Sequence, residues 1–330
     1  MKRFSALTRL ARAATGVLLA ATLPLSINAA SANDQVRIGV DFNVLGSQVW
    51  VAQEQAFFET HGIDADIRPF AFGVDTIDAT LTGQLDFGIG LDFATTTRLQ
   101  TEQLKIITAV IEPEAGFHKL AVSDAIQTPE DLADKKIGIA KGTAQHLVTI
   151  GYLQNFGVDL ESVELIPMPS LLEMVASLRA RRIDAAFIWG DGVEQAEQIP
   201  HARILSDDKP ANVRLHGYLV TTNDFAVENP EAVKNTLAAL ADATDWMEAN
   251  FDEAVDIVAA QARSSREAVA AQMQRQNFTI SLKETQAAGF DAIAEFAAAN
   301  DITDTLIEPR NYIDASFLRA VAPDRVALGE

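Results

Sequence analysis

The 330-residue sequence contains no cysteine. That absence excludes disulfides, thiol nucleophiles, thiolate metal sites and a lipid-bearing leader cysteine in one step. Basic residues are scarce: 26 Lys and Arg stand against 46 Asp and Glu, a formal charge of −20. A chain this acidic repels nucleic acid and anionic lipid, so no nucleic-acid partner is expected. The charge does not by itself require a cationic ligand, because the local field of a cleft decides that. Beyond the N-terminus no stretch is apolar enough to cross a membrane. The five histidines (His61, His118, His146, His201 and His216) show no H-E-x-x-H spacing, so neither a metal nor a cofactor is expected. No G-x-S-x-G elbow or Walker loop occurs, and residues 88–93 (GIGLDF) begin like a dinucleotide fingerprint but lack its last glycine. Nothing here reads as an enzyme.

What is present begins with a leader. Lys2, Arg3, Arg9 and Arg12 form a basic start, residues 13–25 an apolar run, and Ala30, Ser31 and Ala32 an A-x-A cleavage pattern. The expectation is export with cleavage before Asn33 and no lipid anchor, giving a periplasmic protein. The leader holds four basic residues and no acid, so its removal leaves a formal charge of −24.

The rest is organised around residues 82–97 (TGQLDFGIGLDFATTT). Leu85, Phe87 and Ile89 alternate with Asp86, Gly88 and Gly90, the two-residue period of a strand. Without Cβ atoms, Gly88 and Gly90 allow a ligand or another backbone to approach closely. Residues 91–95 then read as a helix start with free N–H groups at the strand's carboxyl end. About a hundred residues on, 178–191 (LRARRIDAAFIWGD) repeats the grammar, which suggests two similar lobes offering strand-end loops to one cleft.

Further strands are predicted at 36–40, 63–69, 106–111, 120–122, 136–140, 163–167 and 218–221. Between them lie helix signals: Ser47 as a cap, Thr128-Pro129-Glu130-Asp131 as a strong opening, and Asn229-Pro230-Glu231 before a long amphipathic run. Strands alternating with helices imply an α/β chain with parallel sheets. The remainder to about Ala322, rich in alanine, reads as helix packed outside the first lobe with little chemistry.

Four segments in this order resemble the taurine-, sulfonate- and nitrate-type periplasmic substrate-binding proteins of ABC importers: 52–66 (AQEQAFFETHGIDAD), 81–90, 128–142 (TPEDLADKKIGIAKG) and 182–189 (RIDAAFIW). The resemblance implies a two-lobed periplasmic binding protein fold of the type II, Venus-flytrap kind. Its sheets would be parallel-rich and flanked by helices, with two interlobe crossovers. The lobes would span 33–117 with 217–330, and 118–216. The implied partners are one small-molecule solute and an inner-membrane permease, met by a monomer. Carried over position by position, the ligand shell would include Asn43, Ser47 and Gln48 after the first strand. Asp92 and Phe93 would join from the anchor loop, Thr143, Ala144 and Gln145 from a helix start of the second lobe, and Trp189 from a strand end. The family often has a Gly-Ser-Ser-Pro-like run where this chain has 91–94 (LDFA), and often a proline where it has Asp191. Both departures add a carboxylate near the cleft and argue against a plain inorganic anion or simple alkyl sulfonate.

The residues leave alternatives open. The Thr143-Ala144-Gln145 helix start suits an anion, or is an ordinary capped helix. Asp92 either caps its own helix or holds an ammonium group, and Glu112, at another strand end, poses the same choice. Trp189 is core, or lies over a ligand, with Phe93 and Trp50 as further aromatic walls. The expected function is a receptor that closes by hinge bending around a small sulfonated or zwitterionic amine, taurine being the default. A cationic or heteroaromatic nitrogen compound, such as a quaternary amine or pyrimidine vitamin precursor, is the alternative ligand. An enzyme on the same fold is the alternative of another class.

Overall fold

The computed structural model describes residues 33–329; the expected leader lies outside them. In chain order β1 (Asp34–Asp41) leads through a 3-10 turn (Val44–Gly46) to α1 (Ser47–Glu54), α2 (Phe57–Thr60), β2 (Ile63–Phe70), α3 (Gly73–Leu81), β3 (Phe87–Leu91), α4 (Asp92–Leu99) and β4 (Leu104–Pro113). Next come β5 (Lys119–Ser123), β6 (Lys136–Ile139), α5 (Ala144–Asn155), β7 (Glu164–Pro167), α6 (Leu171–Arg179), β8 (Ala185–Ile188), α7 (Asp191–Glu197) and β9 (Ala202–Asp207). The chain finishes with β10 (Gly217–Thr222), α8 (Asn223–Glu228), α9 (Pro230–Ala249), α10 (Phe251–Ala262), α11 (Arg266–Met273), β11 (Gln276–Lys283), α12 (Glu284–Ala299), α13 (Ser316–Val321) and β12 (Val326–Ala327).

Among the described residues twelve strands form two sheets, β12-β11-β4-β10-β3-β1-β2 and β7-β6-β8-β5-β9. The chain therefore passes between the sheets twice, after β4 and after β9. Pairing is mixed rather than parallel throughout. β1 runs parallel to β2 and β3, and β6 parallel to β7 and β8. β10 and β5, the first strands after each passage, run antiparallel to both neighbours because they enter their sheets from the opposite end.

The two sheets share a construction. Asp86, just before β3, accepts the backbone N–H of Arg37 at 2.7 Å and returns its own N–H to the Arg37 carbonyl. Asp184, just before β8, does the same with Lys136 at 2.9 Å. Each aspartate thus fixes the register of a central strand on its parallel neighbour. The glycine two residues on in that neighbour, Gly39 or Gly138, lies under Leu85 or Ile183 with no room for a Cβ. The recurring tetrapeptides 37–40 (RIGV) and 136–139 (KIGI) are the visible trace of this repeat.

The close approach anticipated at Gly88 and Gly90 is made by a helix. A Cβ on Gly88 would sit 2.8 Å from the Thr76 carbonyl oxygen, and one on Gly90 2.6 Å from Ile77. The Thr76 hydroxyl accepts the Ile89 N–H at 3.0 Å, and lies 2.8 Å from both the Ile89 and Gly73 carbonyls. α3 is thereby seated directly on β3.

Three features depart from the sequence expectations. The Thr128 opening yields only a 3-10 turn, Pro129–Leu132, because the chain turns into β6 through Asp134 at φ +61°. β9 was not anticipated, its residues being half-buried rather than alternating. The C-terminal part is not all helix: β11 enters the first sheet beside β4, with residues 279–282 buried together. Long α9 behaves as expected, burying Val233, Leu237, Leu240 and Ala241.

Gly88→Ala should test the α3–β3 seat. Relief of the backbone clash requires a shift of the helix, so chemical denaturation should show about 1–3 kcal/mol of lost stability. An unchanged midpoint would mean the seat is not tight.

Candidate functional site

A cavity with roughly 570 Å³ of free space, part of it at an open mouth, lies between the sheets. The centre of a water molecule can occupy about 60 Å³ of it, room for a few waters. Its walls come from both sides: Val44, Leu45, Leu91 and Ile111 from the first sheet and its loops, with Phe72 and Val74 at the start of α3. Thr143, Ala144 and Gln145 at the start of α5, Trp189 after β8 and the crossing segment Phe117–His118 complete it from the second. The lining is mostly apolar, with few polar groups.

Two helix N-termini open into it. α5 has no side chain capping its start, and the Thr143 hydroxyl donates instead to the Ala140 carbonyl at 2.8 Å. The N–H groups of Ala144 and Gln145 therefore have no protein partner among the described residues. α3 starts at Gly73 and Val74, which also line the cavity; Asp75 turns back to accept the Phe72 N–H at 3.1 Å. Converging N–H groups and helix dipoles suit an anion. No lysine or arginine lines the cavity among the described residues.

The aromatic wall is built across the gap. Trp189 is 6.2 Å from Phe72, centroid to centroid, and 5.6 Å from His118, whose ring it meets edge-on. His118 is fixed by Asp208, with Nδ1 2.9 Å from a carboxylate oxygen that also accepts its backbone N–H at 2.9 Å. Burial pushes the Asp208 carboxyl up, but these bonds and one from the Gly116 N–H outweigh it, and its pKa is lowered.

Of the residues the sequence singled out, Asn43, Thr143, Ala144, Gln145 and Trp189 come together at this cavity. Gln145 brings only its backbone: its side-chain oxygen accepts the Ala140 N–H, and its nitrogen donates to Gly138 and Phe187 carbonyls. Asn43 is also engaged, donating to Asp41 at 2.7 Å and accepting the Leu45 N–H at 2.8 Å.

The other six lie off the lining. Ser47 donates to the Val44 carbonyl, and Gln48 ties α1 to β4 and β11 through the Val110 and Thr279 carbonyls. Phe93 is fully buried in a cluster with Leu120, Val122 and Leu147, a seam between α4 and the second sheet. Asp92, also fully buried, accepts the N–H groups of Phe93 and His216, and its Oδ2 lies 3.6 Å from the His216 Nδ1. Its pKa is raised by burial against those bonds. Glu112 belongs to a neighbouring pocket beside Arg214, bonded by Gln286 and Asn277. Asp191 accepts a 2.6 Å hydrogen bond from Ser264, which follows α10, and so joins the two sides of the molecule. Trp50 packs in the core around α1 and is absent from the wall.

The apolar lining residues such as Phe72 and Phe117 escaped the sequence reading, and so did two polar ones, Asp41 and Gln276. Asp41, at the end of β1, is 4% exposed, and burial lifts its carboxyl pKa from 3.8 to about 7 against bonds from Asn43. Gln276, at the start of β11, has both side-chain polar atoms buried without a partner. Comparing 37–41 (RIGVD) with 136–140 (KIGIA) would have found Asp41, since the matching strand end carries Ala140. No local signal marks Gln276.

Two mixed sheets joined by two chain passages around one cavity, with helix starts facing into it, are the architecture of the periplasmic binding-protein fold. Residues 46–254 match the family described as NMT1/THI5 like, and the chain belongs to that family. A Brucella abortus (strain 2308) protein named as a candidate binding protein is 31% identical over 235 residues, covering 69% of this chain and 71% of that one. The taurine-binding periplasmic protein of Escherichia coli (strain K12) is 25% identical over 224 residues, covering 66% and 68%. The structure of the alkanesulfonate-binding protein SsuA from Xanthomonas axonopodis pv. citri bound to MOPS matches with TM-score 0.76 and 18% identity, over 87% of this chain and 100% of that one. The desulfurization enzyme DSZB shares the fold, with TM-score 0.63 and 16% identity over 88% and 99%. Among the described residues no helix is long and apolar enough to cross a membrane.

Asp41→Asn should stabilise the ligand-free protein above neutral pH. The folded chain keeps the Asp41 proton up to about pH 7, whereas the unfolded chain loses it near 3.8. Stability therefore falls as pH rises between those values, by on the order of 2–4 kcal/mol. Melting temperatures should show the variant above wild type at pH 8 and close to it at pH 4.

Proposed function

We propose that the protein is the exported solute receptor of an ABC importer and binds a small sulfonated or zwitterionic amine, taurine being the first candidate. The observation that supports this best is the opening of the α3 and α5 N-termini, from opposite sides, onto one cavity without a basic side chain. N–H groups and dipoles then hold the anionic end. The single carboxyl of Asp41 favours a ligand of net charge near zero over an inorganic anion. Taurine binding by a relative of 25% identity is consistent with this reading. Binding rather than catalysis is favoured because the Thr143 hydroxyl is committed to a backbone carbonyl and, among the described residues, the lining offers no other hydroxyl or thiol nucleophile.

A second ligand class, a heteroaromatic nitrogen compound such as a pyrimidine vitamin precursor, is favoured by the three aromatic rings of Phe72, Trp189 and His118 that line the cavity. The lobe division, export and docking on a permease as a monomer belong to the same proposal. The Asp191–Ser264 contact is the kind of link that hinge closure would make.

A thermal-shift panel of taurine, alkyl sulfonates, nitrate, betaine, choline and pyrimidines tests this. A ligand at ~1,000 times its dissociation constant stabilises by about 4 kcal/mol. Ala144→Pro is the matching variant. Proline is tolerated at the first helical position, the preceding Thr143 already has extended backbone, and the substitution removes one inward N–H. It should weaken the preferred anion about tenfold or more, at 1.5–3 kcal/mol per charged hydrogen bond, with little change in the ligand-free melting temperature. Undiminished affinity would remove the α5 start from the site.

A further inference from the structure

Gln276 is a partly buried residue of the cavity lining whose amide oxygen and nitrogen are covered and lack a protein partner among the described residues. Buried amides are ordinarily paired, so an unpaired one on a residue that lines a cavity points to a ligand that uncovers it on binding. Asp41 lines the same cavity with spare capacity. Among the described residues its carboxylate accepts from Asn43, at 2.7 Å from the side chain and 3.4 Å from the backbone, while a carboxylate has room for about four such bonds. The construction shared by the two sheets puts Ala140 at the position matching Asp41. The fold therefore does not need a carboxylate there.

We propose that Asp41 and Gln276 form the nitrogen-recognising pole of the cavity, selecting a ligand whose cationic end carries N–H groups, such as a primary ammonium, over quaternary ammonium and over ligands without nitrogen. The inference rests on the reading of the α3 and α5 starts as the anion pole. An ammonium donates to the Asp41 carboxylate and to the Gln276 carbonyl, and the Gln276 amide donates to an oxygen of the anionic end. A trimethylated nitrogen has no hydrogen to give and leaves both acceptors unpaired.

Binding is then coupled to a proton. Near neutral pH Asp41 is partly protonated in the ligand-free protein, and the ammonium is held by its ionised form, so association releases a proton. The groups around it do not compete for this role. His118, the other titratable lining residue, is paired with Asp208. Asp75 on α3 accepts the Phe72 N–H, Asp86 before β3 is paired with Arg37, and Asp66 and Arg68 on β2 pair with each other. Arg266 on α11, packed near the turn after β1, is paired with Asp252 and Asp256.

Titration calorimetry on the mature chain with taurine, N,N,N-trimethyltaurine and propanesulfonate tests the proposal. Taurine should bind at least tenfold tighter than the other two, and its association constant should fall about tenfold between pH 6 and pH 5. At pH 7, two buffers of different ionisation enthalpy should reveal proton release with taurine and none with propanesulfonate. Asp41→Asn should abolish the pH dependence and the preference for taurine over propanesulfonate, and Gln276→Leu should reduce that preference. Equal binding of all three ligands, weakened by Ala144→Pro yet flat in pH, would overturn this inference and leave the anion pole standing. No binding by any of the three would overturn both.

Discussion

The seating of α3 on β3 is the constraint on which the site depends. β3 is short and central, and its two glycines let the helix backbone come within van der Waals contact of the strand. The Thr76 hydroxyl, bonded to both the amide and the carbonyl of Ile89, serves there as an extra strand neighbour. A bulkier strand would hold α3 further out and carry its first N–H groups away from the cavity. Small side chains in a core are usually a cost in buried area. Here they set how near the cavity the first N–H groups of α3 stand.

On the opposite side the same end is reached by different means. The Gln145 side chain stitches β6 to β8 and to its own loop, so the α5 start is held by an amide rather than by glycines. Both helix starts are thus anchored by polar side chains bonded to strand backbone. Asp86 and Asp184, in turn, fix those strands on their parallel neighbours. Rigid elements of this kind preorganise N–H groups and spare the ligand the cost of ordering them.

Much of this was legible in the sequence. The alternation around Gly88, the repeated Leu/Ile-Asp unit and the α5 start all lie where local pattern put them, because each is written in consecutive residues. What was not legible depends on residues far apart in the chain. Asp92 reads as a cleft carboxylate until His216, 124 positions on, is seen to cover it. Ser47 and Gln48 read as ligand groups until the carbonyls they satisfy are known. Gln276 had no signal because β11 follows an alanine-rich helical region and its significance comes only from what fails to touch it. Asp41 stood in plain view at a strand end, yet its chemistry comes from burial, which no spacing rule reports.

Among the described residues, the absence of lysine and arginine from the cavity wall has a kinetic consequence. With a formal charge of −20, the chain's long-range field opposes any free anion approaching through water, and the helix starts reverse that sign only at short range inside the cleft. A plain anion must be captured against the field, and it arrives faster as salt shortens the Debye length toward about 8 Å at physiological ionic strength. A zwitterion feels no net force at that range, and its encounter rate is indifferent to salt. The receptor thus sorts solutes by net charge on approach, before any atom of the cavity is touched.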